Sequence, residues 1–164
     1  MRMFAVGALC VLVIGGASVL RGSPADHAAA AGRRAAALSD AEMLRLLEKF
    51  ADAWNRHDAD ALMSMMSDDC VFEASGGNFV YGERYEGQKA VRASFVAIFA
   101  LYPDAQWRGA RHFVNGDRGL SEWTFTGTLK DGKRVEVTGC DVFTFRGGKI
   151  AIKNSYRKNR PPIG

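Results

Sequence analysis

The chain has 164 residues, a length that argues for one domain. Its 48% hydrophobic and 24% charged residues are ordinary globular values, which excludes collagen-like, disordered and disulfide-scaffold classes, and three cysteines cannot build a framework. The net charge of +4 is uneven: residues 1–38 carry +3, residues 39–145 carry −5 and residues 146–164 carry +6, so an acidic body bears a basic tail and no nucleic-acid partner is indicated.

Between Arg2 and Arg21 runs Met3–Leu20, eighteen residues without a charge, about the shortest stretch that spans a bilayer as a helix. Residues 1–22 therefore read as a secretory signal peptide, with Gly15-Gly16-Ala17 as small residues for cleavage, or as an uncleaved membrane anchor acting through residues 3–20. These two readings put the protein in the periplasm or outside, or on a membrane; translation from near Met43 would instead leave it cytoplasmic. Cys10 does not suit a lipoprotein, because Leu9 precedes it and almost no apolar run lies upstream. Residues 23–38, rich in Ala, Gly and Arg without an apolar period, read as a linker, 39–160 as the domain and 161–164 as a tail. Behind a genuine leader Cys70 and Cys140 meet an oxidising space, and both a disulfide and two structural thiols are open.

Ser39-Asp40-Ala41-Glu42 has the form of a capping box and predicts a helix start. Met43, Leu47, Phe50 and Trp54 then form one apolar stripe, opposite Arg45, Glu48, Lys49 and Asp52. Asp58 caps a short second helix carrying Leu62, Met65 and Met66. Cys70–Ala74 reads as a short strand, Gly76-Gly77 turns the chain into Phe79-Val80-Tyr81, and Gly87 precedes a third helix with Val91, Phe95, Ile98 and Tyr102 on one face. From Ala105 the period becomes alternating. Strands are predicted at Trp107–Val114, Leu120–Leu129, Arg134–Phe145 and Ile150–Arg157, joined by turns at Asn115-Gly116, Asp131-Gly132 and Gly147-Gly148. This order predicts an α+β fold in which helices cover one face of a strongly bent antiparallel sheet.

Five segments, Phe50-Ala-Asp-Ala-Trp54 through Leu62, Asp68-Asp69-Cys-Val-Phe-Glu73, Tyr85-Glu-Gly87, Glu122-Trp-Thr-Phe-Thr-Gly127 and Cys140-Asp-Val-Phe through Ile150, resemble in that order the SnoaL-like branch of the nuclear transport factor 2-like superfamily. The resemblance covers about residues 43–157. It implies a cone: a curved sheet wrapped round N-terminal helices, open at one end to a pocket, commonly dimeric through the outer sheet face, and used by ketosteroid isomerases, polyketide cyclases and non-catalytic proteins alike. Fold does not settle function here. Set beside ketosteroid isomerase, Asp141 matches the oxyanion-binding Asp, but Phe50 stands where the donor tyrosine belongs and Ala74 where the base belongs. Glu73, one position earlier, lies on the other strand face.

Asp141 shares a strand face with Val135, Val137, Gly139, Phe143 and Phe145, and an isolated carboxyl there would act as a hydrogen-bond donor or general acid. His112 is the second catalytic candidate, a base paired with Asp141 if it faces inward, although simple alternation puts Trp107 and Phe113 inward and His112 outward. His57 reads as a loop or capping residue. Asn154 and Tyr156 share a face with Ile150 and Ile152, and a two-residue turn sets them beside Asp141 and Gly139; a bulge would bring Lys153, Ser155 and Arg157 inward instead. The expected ligand pocket consists of Phe50, Trp54, Glu73, Tyr81, Phe95, Trp123, Phe143, Asn154 and Tyr156. No metal motif, phosphate loop or nucleophile elbow occurs, so no metal or cofactor is expected. Together these features point to a small-molecule-binding protein, with cofactor-independent lyase, isomerase or cyclase work on an apolar carbonyl compound through Asp141, and a homodimer. The alternative is a non-catalytic accessory subunit of a larger complex, such as an oxidoreductase or a membrane assembly.

Overall fold

The computed structural model describes residues 38–163, so the expectations for the leader and almost all of the linker lie outside the described residues. No helix among the described residues is long and apolar enough to cross a membrane.

The first helix, α1 (Asp40–Asn55), begins at the capping box: Ser39 Oγ accepts from the Glu42 amide and the Glu42 carboxylate accepts from the Ser39 amide at 2.8 Å. Its predicted stripe, Met43, Leu47, Phe50 and Trp54, is buried. Asp58 caps α2 (Ala59–Ser64) by accepting from the Ala61 amide at 2.9 Å. The strand β1 (Met66–Glu73) starts four residues earlier than expected, and Phe79–Tyr81 forms no strand; a ten-residue hairpin loop leads instead to β2 (Arg84–Glu86). Helix α3 (Gly87–Leu101) buries Val91, Phe95 and Phe99. Four long strands follow: β3 (Gln106–Asn115), β4 (Arg118–Thr128), β5 (Arg134–Arg146) and β6 (Lys149–Arg157). They make one six-stranded sheet in the order β2-β1-β6-β5-β4-β3, antiparallel throughout except for β1 beside β6. The fold is thus the expected α+β arrangement, with a curved, unclosed sheet whose inner face packs on α1 and α3. The tail is not free: Ile163 exchanges two backbone hydrogen bonds with Arg134 at 2.8 and 2.9 Å.

Two bulges decide which side chains face inward. In β3 the pairing with β4 slips by one residue between Arg108 and Arg111, where Gly109 takes φ +61°, the left-handed conformation that glycine adopts without cost. Trp107 and His112 consequently share the inner face, and Phe113 points out with 51% of its surface exposed. In β6 the turn at Gly147-Gly148 has the predicted two residues, but the pairing with β5 slips between Phe145–Ile150 and Thr144–Ile152. Ile150 and Ala151 are both buried, and beyond them the parity reverses. Lys153 and Ser155 face inward; Asn154 and Tyr156 face outward, contrary to expectation.

Cys70 lies in the core and Cys140 on the outer face of β5; both are free thiols.

Candidate functional site

Between α1, the end of α3 and the inner face of the sheet lies a cavity of about 210 Å³. That exceeds the roughly 150 Å³ that accommodates a benzene ring and falls short of the roughly 300 Å³ at which pockets for drug-sized molecules begin. Its wall is aromatic because the first apolar stripe and three strands all present rings here: Trp54 from α1, Phe72 from β1, Trp107 from β3 and Trp123 from β4. The three indoles form a stack, Trp54 on Trp107 at 4.6 Å and Trp107 on Trp123 at 5.5 Å. Gly139 makes room for the last of them: a Cβ there would stand 2.5 Å from the Trp123 ring and 2.4 Å from the Tyr156 carbonyl oxygen.

The buried charged group in this wall is Lys153, which is 2% exposed. Its Nζ donates to Asp141 Oδ1 and to Ser155 Oγ, both at 2.7 Å. The Ser155 hydroxyl donates to the same carboxylate oxygen, and Trp123 Nε1 donates to Asp141 Oδ2 at 2.8 Å. The ammonium therefore uses two of its three hydrogens on the protein. It lies 4.6 Å from the centroid of the Phe72 ring, 5.3 Å from Trp107 and 5.6 Å from Trp54, within cation–π range of all three. Burial pushes the Lys153 pKa below the ordinary lysine range, and the Asp141 carboxylate opposes that shift. Trp54 Nε1 is buried without a hydrogen-bond partner. No Asp, Glu or His lines the cavity; its charged lining groups are Lys153 and Arg157. A site built this way offers charged donors and no carboxylate, so it complements an oxygen with lone pairs on an otherwise apolar body.

Asp141 is fully buried but stands behind Lys153 rather than in the cavity wall. It is not the isolated carboxyl expected: it accepts from an ammonium, a hydroxyl and an indole, the reverse of the donor role. His112 faces inward through the Gly109 bulge, and its Nδ1 meets Ser121 Oγ at 2.7 Å. Register places His112, Ser121, Asp141 and Ser155 in one row across four strands, yet His112 lies outside the cavity wall. Burial lowers its pKa, against the pull of Glu48 and Asp52.

Of the nine expected pocket residues, Trp54 and Trp123 line the cavity. Phe50, Phe95 and Phe143 are fully buried behind it, with Phe50 edge to face with each of the other two, because their helix and strand positions point into the core. Glu73 lies on the other face of β1 from Phe72, and its carboxylate pairs with Arg84. Tyr81 stacks on Phe79 in the exposed hairpin. Asn154 and Tyr156 bond to each other on the outer face, where the bulge in β6 leaves them. Ala74, which the resemblance sets against the ketosteroid isomerase base, does line the cavity, with only a methyl group to offer. His57 is a loop residue at φ +56°, its Nε2 2.8 Å from the Ala105 carbonyl and its ring stacked on Phe99. Lys153, Ser155, Phe72 and Trp107 complete the site; inward Lys153 and Ser155 needed a bulge that alternation alone does not announce.

Residues 47–152 match the model of the SnoaL-like domain. The chain belongs to the SnoaL-like family. Among solved structures, this SnoaL-like chain is similar to a protein of Xanthomonas campestris pv. campestris provisionally named a polyketide cyclase, at 21% identity over 73% of this chain and 92% of that one, with a TM-score of 0.66. A nuclear transport factor 2-like protein of unknown function from Mesorhizobium loti shares 26% identity over 73% and 93% of the two chains, with a TM-score of 0.62. A protein of Catenulispora acidiphila with a ketosteroid isomerase-like fold, solved with trimethylamine, matches at 18% identity over 68% and 83%, with a TM-score of 0.58. No curated protein matches the sequence. These likenesses establish the SnoaL-like cone.

Proposed function

We propose that this SnoaL-like domain binds a small, mostly apolar molecule through one carbonyl, enolate or carboxylate oxygen held by Lys153, with Asp141 as the positioning residue behind it. The observation that carries this reading is the buried ammonium with one hydrogen not used in a hydrogen bond, in an aromatic wall free of carboxylates. Low dielectric strengthens such a bond and makes an uncompensated acceptor the natural guest. Where a reaction follows, it is cofactor-independent lyase, isomerase or cyclase chemistry in which negative charge develops on the bound oxygen and Lys153 stabilises it. The lack of an Asp, Glu or His in the wall favours the second reading, binding without turnover, as an accessory subunit or carrier. The leader, read as signal or anchor, would place this domain outside the cytoplasm or on a membrane.

Naphthoate serves as a probe, because its ring system is apolar and flat and its emission responds to the indole stack. Wild-type protein is expected to bind it and to ignore the cationic naphthylmethylamine. Lys153→Met removes a charge-assisted bond of about 1.5–3 kcal/mol and lowers naphthoate affinity roughly 10–100-fold. Equal affinity of wild type and Lys153→Met refutes the anchoring role. Native mass spectrometry of the protein from its own cell separates the two readings: a retained carboxylate or ketone supports a carrier, and a ligand converted on incubation supports an enzyme.

A further inference from the structure

The cavity opens at the end of the molecule where three features lie together. The first is the loop between β1 and β2, whose base residues Ser75 and Gly76 line the cavity. That base is closed by backbone bonds from Ala74 to Glu83 and from Glu83 to Gly76, each 2.8 Å, and Gly82 at φ +77° sits so close to Ala74 that a Cβ would overlap its carbonyl oxygen. From this fixed base the loop lifts Phe79, Val80 and Tyr81 into solvent, with 58%, 101% and 43% of their surfaces exposed and the two rings stacked at 5.7 Å. The second is Leu101, also in the cavity lining and 47% exposed. The third is the basic segment Arg157, Lys158 and Arg160, which shares one depression with Ser75 and Gly76.

The aromatic-aliphatic tip is held out by a rigid base, with the Arg84 guanidinium 5.8 Å from the Tyr81 ring centroid, and the depression that holds the three exposed cations contains no carboxylate. Aromatic rings at the boundary and basic groups beside them are the two components of interfacial lipid binding, apolar burial and attraction to anionic headgroups. The sequence adds an eighteen-residue uncharged stretch, Met3–Leu20, able to keep the chain near a bilayer. We infer that the mouth end of the domain docks on an anionic lipid surface, Phe79–Tyr81 entering the headgroup region while Arg157, Lys158 and Arg160 meet the lipid phosphates. The cavity then opens toward the bilayer, and an apolar molecule with an oxygen head can pass between lipid and protein without crossing water. The docking surface does not depend on Lys153, so the two proposals fail separately.

The test uses the full-length chain with Cys10→Ser and Cys140→Ser, which leaves buried Cys70 unreactive. Val80→Cys carries an environment-sensitive fluorophore, and Asp117→Cys, in the turn at the other end of β4, carries it as the control. With phosphatidylcholine vesicles containing phosphatidylglycerol, emission at position 80 is expected to rise several-fold and shift to the blue, while position 117 stays in water. High salt, removal of phosphatidylglycerol, or Phe79→Ser with Tyr81→Ser should each reverse most of the change. A position-80 label that stays in water while the chain sediments with vesicles overturns the inference, since another segment then holds the membrane. A blue shift that grows with protein concentration in the absence of lipid also overturns it, in favour of a second copy at the tip. The Lys153→Met, Asp141→Asn double variant, which leaves no buried charge alone, is expected to dock normally.

Discussion

Lys153 and Asp141 hold each other in place, and the pair owes its position to both charges. Two buried ions repay their desolvation only when each finds the other, and removing one partner typically costs about 3–5 kcal/mol. Asp141→Asn is therefore expected to lose about that much stability at neutral pH, whereas Asp141→Asn with Lys153→Met recovers much of it, because no buried charge is left alone. The pH dependence has a definite sign. Burial lowers the pKa of Lys153, so between its folded and unfolded values the unfolded chain holds the extra proton and stability rises with pH. Without Asp141 the opposing attraction is gone, the folded value drops further, and the deficit of Asp141→Asn should shrink in alkaline buffer. Urea midpoints at neutral and alkaline pH measure this; a deficit independent of pH would mean that Lys153 charge is not its source. Asp141 was legible in the sequence as a carboxyl among apolar neighbours. Its partner was legible only as the second of two alternatives, because an inward Lys153 requires a bulge in β6 and apolar alternation favours the other parity.

At the level of strands, the same two local irregularities account for most of the difference between the expected and observed site. Simple alternation along β3 sends His112 out and along β6 sends Asn154 and Tyr156 in; one extra residue in each strand reverses both assignments. The β3 bulge has a readable mark, a glycine in mid-strand, and that glycine takes φ +61° with nothing within 4 Å of its would-be Cβ. Its substitution is a question of backbone conformation alone. Gly109→Val is expected to cost about 1–2 kcal/mol and Gly109→Asn clearly less, since Asn visits this region far more readily. Equal losses in thermal or urea unfolding would show that space rather than φ governs the position. The β6 bulge carries no such mark: Ile150-Ala151 is apolar, and apolar residues fit either parity. Helices were easier, since a capping box, an apolar stripe and an Asp cap are each local and none depends on register.

The described domain, residues 38–163, follows the α+β cone that element order and family resemblance together imply, because helices early in the domain and long strands late in it leave few ways to cover one sheet face. The sheet's other face bears Phe113, Leu120 and Val142 side by side across β3, β4 and β5, next to a groove of about 580 Å³ lined by Arg108, Arg111, Arg157 and Lys158. Glu122, which also lines the groove, pairs with Arg111 at 2.9 Å, so a two-fold dimer centred there would set Arg108, Arg157 and Lys158 against their own copies. A dimer, as the family commonly forms, is thus expected to centre on Phe113, and Phe113→Glu should reduce a two-chain sedimentation mass to one; a wild-type mass of one chain at micromolar concentration removes the expectation. The enclosed side of the sheet has a different consequence. The rings of Trp54, Phe72 and Trp107 around an ammonium are what a receptor for amines would present, but the amine here is a side chain of the same polypeptide. Tethering gives that side chain an effective concentration that a dilute free amine cannot match. The molecule is in this sense permanently inhibited toward cations by a piece of itself, and its specificity for the opposite charge is inherited from the occupant rather than from the empty space beside it.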